Sequence, residues 1–398
     1  MTPRGQLRVG FCGILGSGNL GNDGSLDAVV SYLRKQYPDA SLGFFCMGPE
    51  TVAARYGAPA APLQWYEPHA GDATGLRAAG LKVLGKLLDP FRTLAWIRRY
   101  DVVIVPGMGV LEATLPLRPW AFPYSLFWLG VTARLTGTKV ALVSVGSNVI
   151  SKRATRWVIV RAARLAHYRS FRDSGSREAM REMGVDVRAD EVYPDLAFAL
   201  SDPPVPESTG TVGVGLMAFY GGNDDRARAD EIHDAYLATM KRFVRWLVDQ
   251  GRRVRLFTGD QADDPVVAEI LSDVDRPDAV TYEPAVTLHD LMRHMAGVDT
   301  VVATRYHNVL CALKLGKPTV SLGYAAKNEV IMDQMGLREF CQNARSLDFD
   351  RLVAQFTELE KRRDQFADTM AECNREHKRL LDEQFAALSA AVLDGGRK

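Results

Sequence analysis

The 398-residue sequence predicts an α/β protein with two mostly parallel sheets. Short apolar runs alternate with helical patterns along most of the chain, and Gly, Ser, Asp or Asn follows each run where a helix could begin. One segment, 201–211, interrupts this alternation with three prolines and a glycine. We therefore predict two α/β domains joined there, with a cleft between them and ligands at the carboxyl ends of the strands.

Each element of the first domain follows from the same pattern. The opening apolar run, 7–15, predicts a strand, and the helical spacing at 25–36 completes the start of a βαβ fold. Four more short apolar runs predict strands at 41–47, 101–106, 139–146 and 168–172.

The alternation restarts after 211 and ends in a helical tail. Strands are predicted at 212–218, 253–258, 280–282, 300–304 and 318–324, and helices at 230–249, 265–273, 288–296, 308–315 and from 328. Leu and Phe at helical spacing over 349–393 predict a brace packed on one domain. The predicted divisions are 1–201, 211–345 and 346–398.

Composition excludes several classes of protein. With 49 Lys and Arg against 48 Asp and Glu, the balance gives no support to nucleic acid binding. The first residues lack the apolar stretch of a signal peptide, so we expect a cytoplasmic protein. The apolar run 120–135 is too short to span a bilayer. The five cysteines never form a CxxC pair, so we expect neither a metal site nor disulfides.

A basic run from Lys152 to Arg172 contains no acidic residue and predicts an amphipathic helix. It is either a solvated helix face or a contact with anionic lipid or a lipid-linked phosphate. Peripheral membrane contact, at the inner face of the membrane, therefore remains a hypothesis.

The first glycine-rich turn, 16–21, matches GxGxxG after a strand. A dinucleotide site also needs an acid at the end of the second strand, and the nearest one here is Glu50, beyond that end. The turn instead presents Asn19, Asn22 and Asp23, which suit sugar hydroxyls or an anion at a helix N-terminus. A simple Asn/Gly turn is the alternative.

A second glycine turn follows strand 101–106. Gly107 and Gly109 let the backbone approach a ligand closely, and Glu112 either binds a hydroxyl or caps a helix. Further along, Arg172 ends a strand, where its guanidinium suits a phosphate or carboxylate. An ion pair with Asp173 or another acid is the alternative.

The most informative residues follow two later strands. Arg305 and His307 come after strand 300–304, and Tyr324 and Lys327 come after strand 318–324. If these strands are neighbours, Arg305, His307 and Lys327 converge at one sheet edge beside a helix N-terminus. Such a group indicates a small, highly charged anion.

These segments together resemble the polysaccharide pyruvyl transferase family over nearly the whole chain. The resemblance rests on Gly18-Asn19-Leu20-Gly21-Asn22-Asp23, Gly107–Gly109, Arg172 to Ser176, Pro194-Asp195, Arg305-Tyr306-His307 and Tyr324-x-x-Lys327. Many members have Asp-Glu where this chain has Asn22-Asp23.

The resemblance implies two Rossmann-like domains facing a cleft, as in GT-B glycosyltransferases, with a C-terminal helical tail. It also implies a pyruvyl transfer from phosphoenolpyruvate to two hydroxyls of a sugar, giving a cyclic ketal and phosphate. The first domain is then the acceptor side, carrying Asn19, Asn22, Asp23, Gly107, Gly109 and Glu112. The second is the donor side, where Arg305, Tyr324 and Lys327 join Arg172 in binding the donor.

His307 is the expected acid or base, assisted by Arg305, because an imidazole titrates near neutrality. Phosphoenolpyruvate is a substrate, and neither a cofactor nor a metal is expected. The acceptor is a sugar or glycan, with a lipid-linked form among the candidates. Two alternatives stay open at this point: a nucleotide-sugar glycosyltransferase of the same fold, and a non-catalytic sugar-binding protein of an envelope-polymer pathway.

Overall fold

The computed structural model describes residues 6–69, 71, 74–112, 119–204 and 206–394. By contacts between Cα atoms the chain divides into two units. Unit 1 comprises Met1–Ser17, Ser25–Leu196 and Leu380–Lys398, and unit 2 comprises Gly18–Gly24 and Ala197–Arg379.

Unit 1 is built on a seven-stranded parallel sheet in the order β3-β2-β1-β4-β5-β6-β7. Its strands are β1 (Arg8–Gly13), β2 (Ser41–Cys46), β3 (Ala60–Pro62), β4 (Val102–Pro106), β5 (Lys139–Val145), β6 (Tyr168–Phe171) and β7 (Glu191–Val192). Strand β4 is buried at every position, as expected of a parallel strand covered on both faces.

The helices of unit 1 connect these strands. They are α1 (Leu20–Gln36), α2 (Pro49–Tyr56), α3 (Tyr66–His69), α4 (Gly75–Ile97), α5 (Phe122–Thr136), α6 (Arg153–Leu165) and α7 (Ser174–Glu182). The chain moves one way across the sheet from β1 to β3 and the other way from β4 to β6. Because such crossovers are right-handed, α4, α5 and α6 lie on one face of the sheet, and α5 packs between the other two.

Unit 2 contains a six-stranded parallel sheet in the order β10-β9-β8-β11-β12-β13. The strands are β8 (Val212–Gly215), β9 (Val254–Phe257), β10 (Val280–Tyr282), β11 (Thr300–Ala303), β12 (Thr319–Gly323) and β13 (Cys341–Asn343). The helices are α8 (Ala229–Asp249), α9 (Asp264–Val274), α10 (Leu288–Ala296), α11 (Tyr306–Lys314), α12 (Ala326–Gln334) and α13 (Phe349–Leu388).

The long helix α13 has 40 residues and contributes to both units. In unit 2, its Glu360 carboxylate accepts two hydrogen bonds of 2.7 Å from Arg252. In unit 1, the amide of Gln384 donates to the hydroxyls of Ser144 and Ser170 at 2.7 and 2.9 Å. Each end of the helix is thus fixed by polar contacts of its own.

The predicted α/β class with two parallel sheets and a helical tail is confirmed. Some predicted bounds were wrong. The helix expected from residue 25 begins at Leu20, and the basic run expected as one helix is helical only over Arg153–Leu165, with Arg169 already in β6. Within the described ranges, no helix is both long and apolar enough to cross a membrane.

Candidate active site

Strands β11 and β12 of unit 2 are parallel neighbours, with Val301 opposite Thr319 and Ala303 opposite Ser321. Their carboxyl ends therefore lie at the same edge of the sheet. Helix α11 starts three residues after β11, and α12 starts three residues after β12. This pairing meets the condition under which the sequence placed Arg305, His307 and Lys327 together.

Arg305 is held by a buried carboxylate. Its Nε and Nη2 donate to the two oxygens of Asp263 at 2.8 and 2.6 Å. The Asp263 side chain is fully buried, and it also accepts a hydrogen bond of 2.9 Å from the amide of Ala218. Burial acts to lower the pKa of Arg305, but the ion pair with Asp263 outweighs it, so the pKa is raised. The guanidinium is therefore charged and fixed in orientation.

Tyr306 separates the two other groups of this edge. The ammonium of Lys327 lies 5.0 Å from the centre of the Tyr306 ring, in a cation–π contact. The imidazole of His307 lies edge-on to the same ring, with 5.2 Å between centroids. Tyr306 is buried, whereas His307 and Lys327 are partly exposed. The cation and the imidazole are thus both within reach of a ligand at this edge.

The glycine turn 18–24 belongs to unit 2 and lies against His307. A Cβ atom at Gly21 would overlap the imidazole ring. The Asn19 amide donates to Asp260 at 3.0 Å, and its oxygen accepts from the amide of Asn22 at 3.2 Å. Asn19 thus makes the turn contacts of the second interpretation, while Asn22 and the buried Asp23 occupy the first turn of α1.

Tyr324 lies next to an aromatic group that supports β11. Its ring is 6.1 Å from Phe219, which in turn is 5.9 Å from Tyr236. The hydroxyl of Tyr236 bonds to the hydroxyl of Thr304 at 2.8 Å and accepts from the amide of Met217. Burial raises the pKa of Tyr236 to about 12, so this hydroxyl is a structural group.

The predicted residues of unit 1 form a separate cluster at the ends of β4, β5 and β6. Gly107 adopts a φ of 52°, and a Cβ atom there would overlap the hydroxyl of Ser25. A Cβ at Gly109 would lie 2.6 Å from the carboxyl carbon of Glu112. These glycines are required by the close packing of the turn, whatever else they contact.

Glu112 and Arg172 form an ion pair in this cluster. The Arg172 side chain is only 3% exposed, and its Nε lies 3.6 Å from Asp173, which caps α7 through Ser176. A Cβ at Gly146 would overlap Glu112 and approach Arg172. The alternative interpretation of Arg172, pairing with an acid, describes its contacts in this structure. A donor bound there would compete with Glu112.

Three residues of these clusters were missed by the sequence analysis: Asp260, Asp263 and Gly146. Asp263 is 42 positions from Arg305, and Asp260 is 241 positions from Asn19. No short motif joins such pairs. The one available signal was position, since Asp260 follows β9 and Gly146 follows β5 at the edge where α/β sites form. The described residues contain no cluster of three or more His, Cys, Asp or Glu that could hold a metal ion.

Solved structures with a similar fold are sugar-nucleotide enzymes. The UDP-GlcNAc 2-epimerase from Neisseria meningitidis, bound to UDP-GlcNAc, has a TM-score of 0.58 at 10% identity, covering 96% of this chain and 100% of that chain. MurG of Acinetobacter baumannii has a TM-score of 0.54 at 13% identity, covering 96% and 99%. The UDP-GlcNAc 2-epimerase from Methanocaldococcus jannaschii has a TM-score of 0.57 at 11% identity, covering 88% and 91%. These likenesses show a GT-B-like fold.

No curated protein matches the chain by sequence. The sequence pattern of one family, described as polysaccharide pyruvyl transferase, matches residues 19–325. The match begins at Asn19 of the glycine turn, includes the Arg305-Tyr306-His307 segment and ends after Tyr324. The chain therefore belongs to the polysaccharide pyruvyl transferase family and is a transferase.

Proposed function

We propose that the protein transfers the enolpyruvyl unit of phosphoenolpyruvate to two hydroxyls of a sugar, forming a cyclic ketal and releasing phosphate. The observation that carries the proposal is the edge formed by β11 and β12, where Arg305, His307 and Lys327 follow neighbouring strands at two helix N-termini. A donor with a carboxylate and a phosphate on three carbons needs several cations close together. This edge supplies them.

Lys327 and Arg305 are proposed to bind the donor anion. Lys327 is a point charge that can meet either anionic group, and Tyr306 limits its position through the cation–π contact. Two nitrogens of Arg305 are engaged by Asp263, so Nη1 is the group proposed to face the donor. Tyr324 contributes a hydroxyl beside them.

His307 is proposed to transfer protons. The reaction starts when a proton is added to the methylene carbon, which gives an oxocarbenium-like centre at C2. A sugar hydroxyl attacks C2 and loses its proton to a base. Phosphate then leaves, and the second hydroxyl closes the ring and loses its proton in turn. An imidazole is suited to such steps because its ordinary pKa lies near 6.5.

The reaction balances without a further reactant. One proton stays on the methyl carbon and the other leaves with phosphate, so the two hydroxyl protons of the sugar account for both. No oxidation or reduction takes place. We therefore propose no cofactor, and phosphoenolpyruvate and a sugar or glycan, lipid-linked or free, as the substrates.

The test is an acceptor screen with phosphoenolpyruvate. Purified protein is incubated with the donor and a panel of glycosides, while phosphate release and acceptor mass are followed. We expect phosphate release only when a competent acceptor is present, together with an acceptor mass increase of one pyruvyl unit. The control is the same screen without donor.

Two outcomes would overturn the proposal. Consumption of a nucleotide sugar in place of phosphoenolpyruvate would identify a glycosyltransferase. Ligand binding without turnover over the whole acceptor panel would identify a sugar-binding protein.

A further inference from the structure

Helix α4 of unit 1 has apolar side chains on a face that nothing in unit 1 covers. Its inward face is formed by residues such as Gly85, Asp89 and Thr93, which are buried. The opposite face carries large apolar side chains that are 93, 63, 64 and 70% exposed, in the order Leu76, Val83, Leu87 and Phe91. At 3.6 residues per turn these four fall within about 80° of arc.

The neighbouring helices extend this apolar surface. Trp120 precedes α5 and is 56% exposed, Leu135 near the end of α5 is 74% exposed, and Trp157 of α6 is 54% exposed. Because α4, α5 and α6 lie side by side on one face of the sheet, these residues belong to one helical layer. Monomeric soluble proteins rarely expose apolar surface on this scale, and where they do it marks an interaction site.

The same layer is strongly basic. Residues 73–172 contain sixteen Lys and Arg against three Asp and Glu, although the whole chain has a formal charge of +1. All three acids are engaged: Asp89 is buried, Asp101 pairs with Arg8, and Glu112 pairs with Arg172. The exposed cations of the three helices include Arg77, Lys82, Arg134, Arg153, Arg156 and Arg161.

We propose that this surface, called the α4–α6 face, docks on a bilayer that contains anionic lipids. Exposed Leu, Phe and Trp suit the boundary between headgroups and acyl chains, and the surrounding cations suit the negative headgroups. Each Lys or Arg near an anionic bilayer strengthens binding by about fivefold. A second copy of the chain is a poor occupant, because two faces of the same charge repel. The inference does not depend on the proposed chemistry.

The experiment is vesicle co-sedimentation of the full chain without donor or acceptor. One set of vesicles is phosphatidylcholine alone, and the other contains a third phosphatidylglycerol. We expect binding to the anionic vesicles at about 0.1 M salt and a loss of binding at high salt, because salt screens the charge. The pair Leu87→Ser and Phe91→Ser and the pair Arg156→Glu and Arg161→Glu should each weaken binding by about tenfold or more.

Matched controls lie in unit 2. Val286→Ser removes an apolar side chain that is 71% exposed, and Lys361→Glu with Lys378→Glu reverses two exposed charges on α13. These variants should bind vesicles as the unchanged protein does. Absence of binding to anionic vesicles, or equal weakening by the controls, would overturn the proposal. So would light scattering that shows a dimer which the Leu87 and Phe91 pair converts to monomer.

Discussion

Arg305 and His307 are two positions apart, yet their side chains have different surroundings. Arg305 is bound through two nitrogens to a buried carboxylate, whereas the His307 ring is partly exposed beside Tyr306 and Gly21. Substituting Arg305 therefore disturbs the packing of unit 2 as well as the ligand. Substituting His307 changes mainly what meets the ligand.

His307→Gln should lower kcat by about 10²–10⁴-fold while the affinity for phosphoenolpyruvate changes only a few-fold. Glutamine keeps a hydrogen-bonding group but cannot take up or release a proton in the neutral range. Steady-state kinetics and donor calorimetry measure the two quantities. His289→Gln, an exposed histidine on α10, is the matched control and should keep full activity. If donor affinity collapses while kcat is kept, His307 binds the donor, and Tyr324 becomes the next candidate for proton transfer.

Arg305→Ala should lower the free energy of unfolding by about 3–5 kcal/mol, because it leaves the Asp263 carboxylate buried without its cation. Chemical denaturation measures this. The double variant Arg305→Ala with Asp263→Ala should recover part of the loss, since no unpaired charge remains. A single variant as stable as the unchanged protein would show that the ion pair has no structural role.

At the scale of elements, the first turn of α1 sets the position of the catalytic candidate. Gly21→Ala should reduce kcat by at least tenfold, because the added methyl group overlaps the imidazole of His307 and must displace it. The backbone itself would tolerate alanine, since Gly21 does not adopt a positive φ and alanine favours helices. The readout is kcat together with thermal stability.

Gly80→Ala in α4 is the matched control, because a Cβ atom there meets nothing within 4 Å. It should leave kcat unchanged and slightly stabilise the protein. Full activity of Gly21→Ala would mean that the imidazole position seen here is not the one used in turnover.

The elements also show how far the sequence reached. Apolar runs such as 102–106 and the pattern of α10 were sufficient to predict strand and helix, because burial on both faces or on one face leaves a clear period. Strands β3, β7 and β13 were missed, since two or three residues show no period. The turn of Asn19 and Gly21 concealed the first turn of α1, because Gly and Asn are typical of loops.

The site was predicted in part for a related reason. Residues that follow strands could be placed at one edge from the chain order, as with Arg305 and Lys327. Their partners could not, because the ion pair with Asp263 joins residues from different parts of the sequence. Helix α4, which was not predicted at all, is apolar on opposite faces and has Pro90 in its interior, so it lacks the simple amphipathic pattern.

At the scale of the whole molecule, stability depends on pH through groups that burial keeps neutral. His377 of α13 is buried in unit 2, with its ring 4.4 Å from that of Phe198. Burial lowers the pKa of His377 to about 4, against about 6.5 in an unfolded chain. Between these values the unfolded chain binds the proton and the folded chain does not. Stability from this residue is therefore complete above pH 6.5 and is lost as the pH falls toward 4.

The expected loss is about 3 kcal/mol of unfolding free energy over that range, since each pKa unit corresponds to about 1.4 kcal/mol. Other groups also titrate there, so the quantity to measure is the difference between the unchanged protein and His377→Phe, by chemical denaturation at pH 7, 5.5 and 4. The phenylalanine variant should fall less steeply as the pH is lowered, because its side chain takes up no proton. The exposed His289→Gln should follow the unchanged protein throughout. Parallel curves for the unchanged protein and His377→Phe would show that His377 is protonated in the folded state as readily as in the unfolded one, and that its burial has no influence on the acid stability of unit 2.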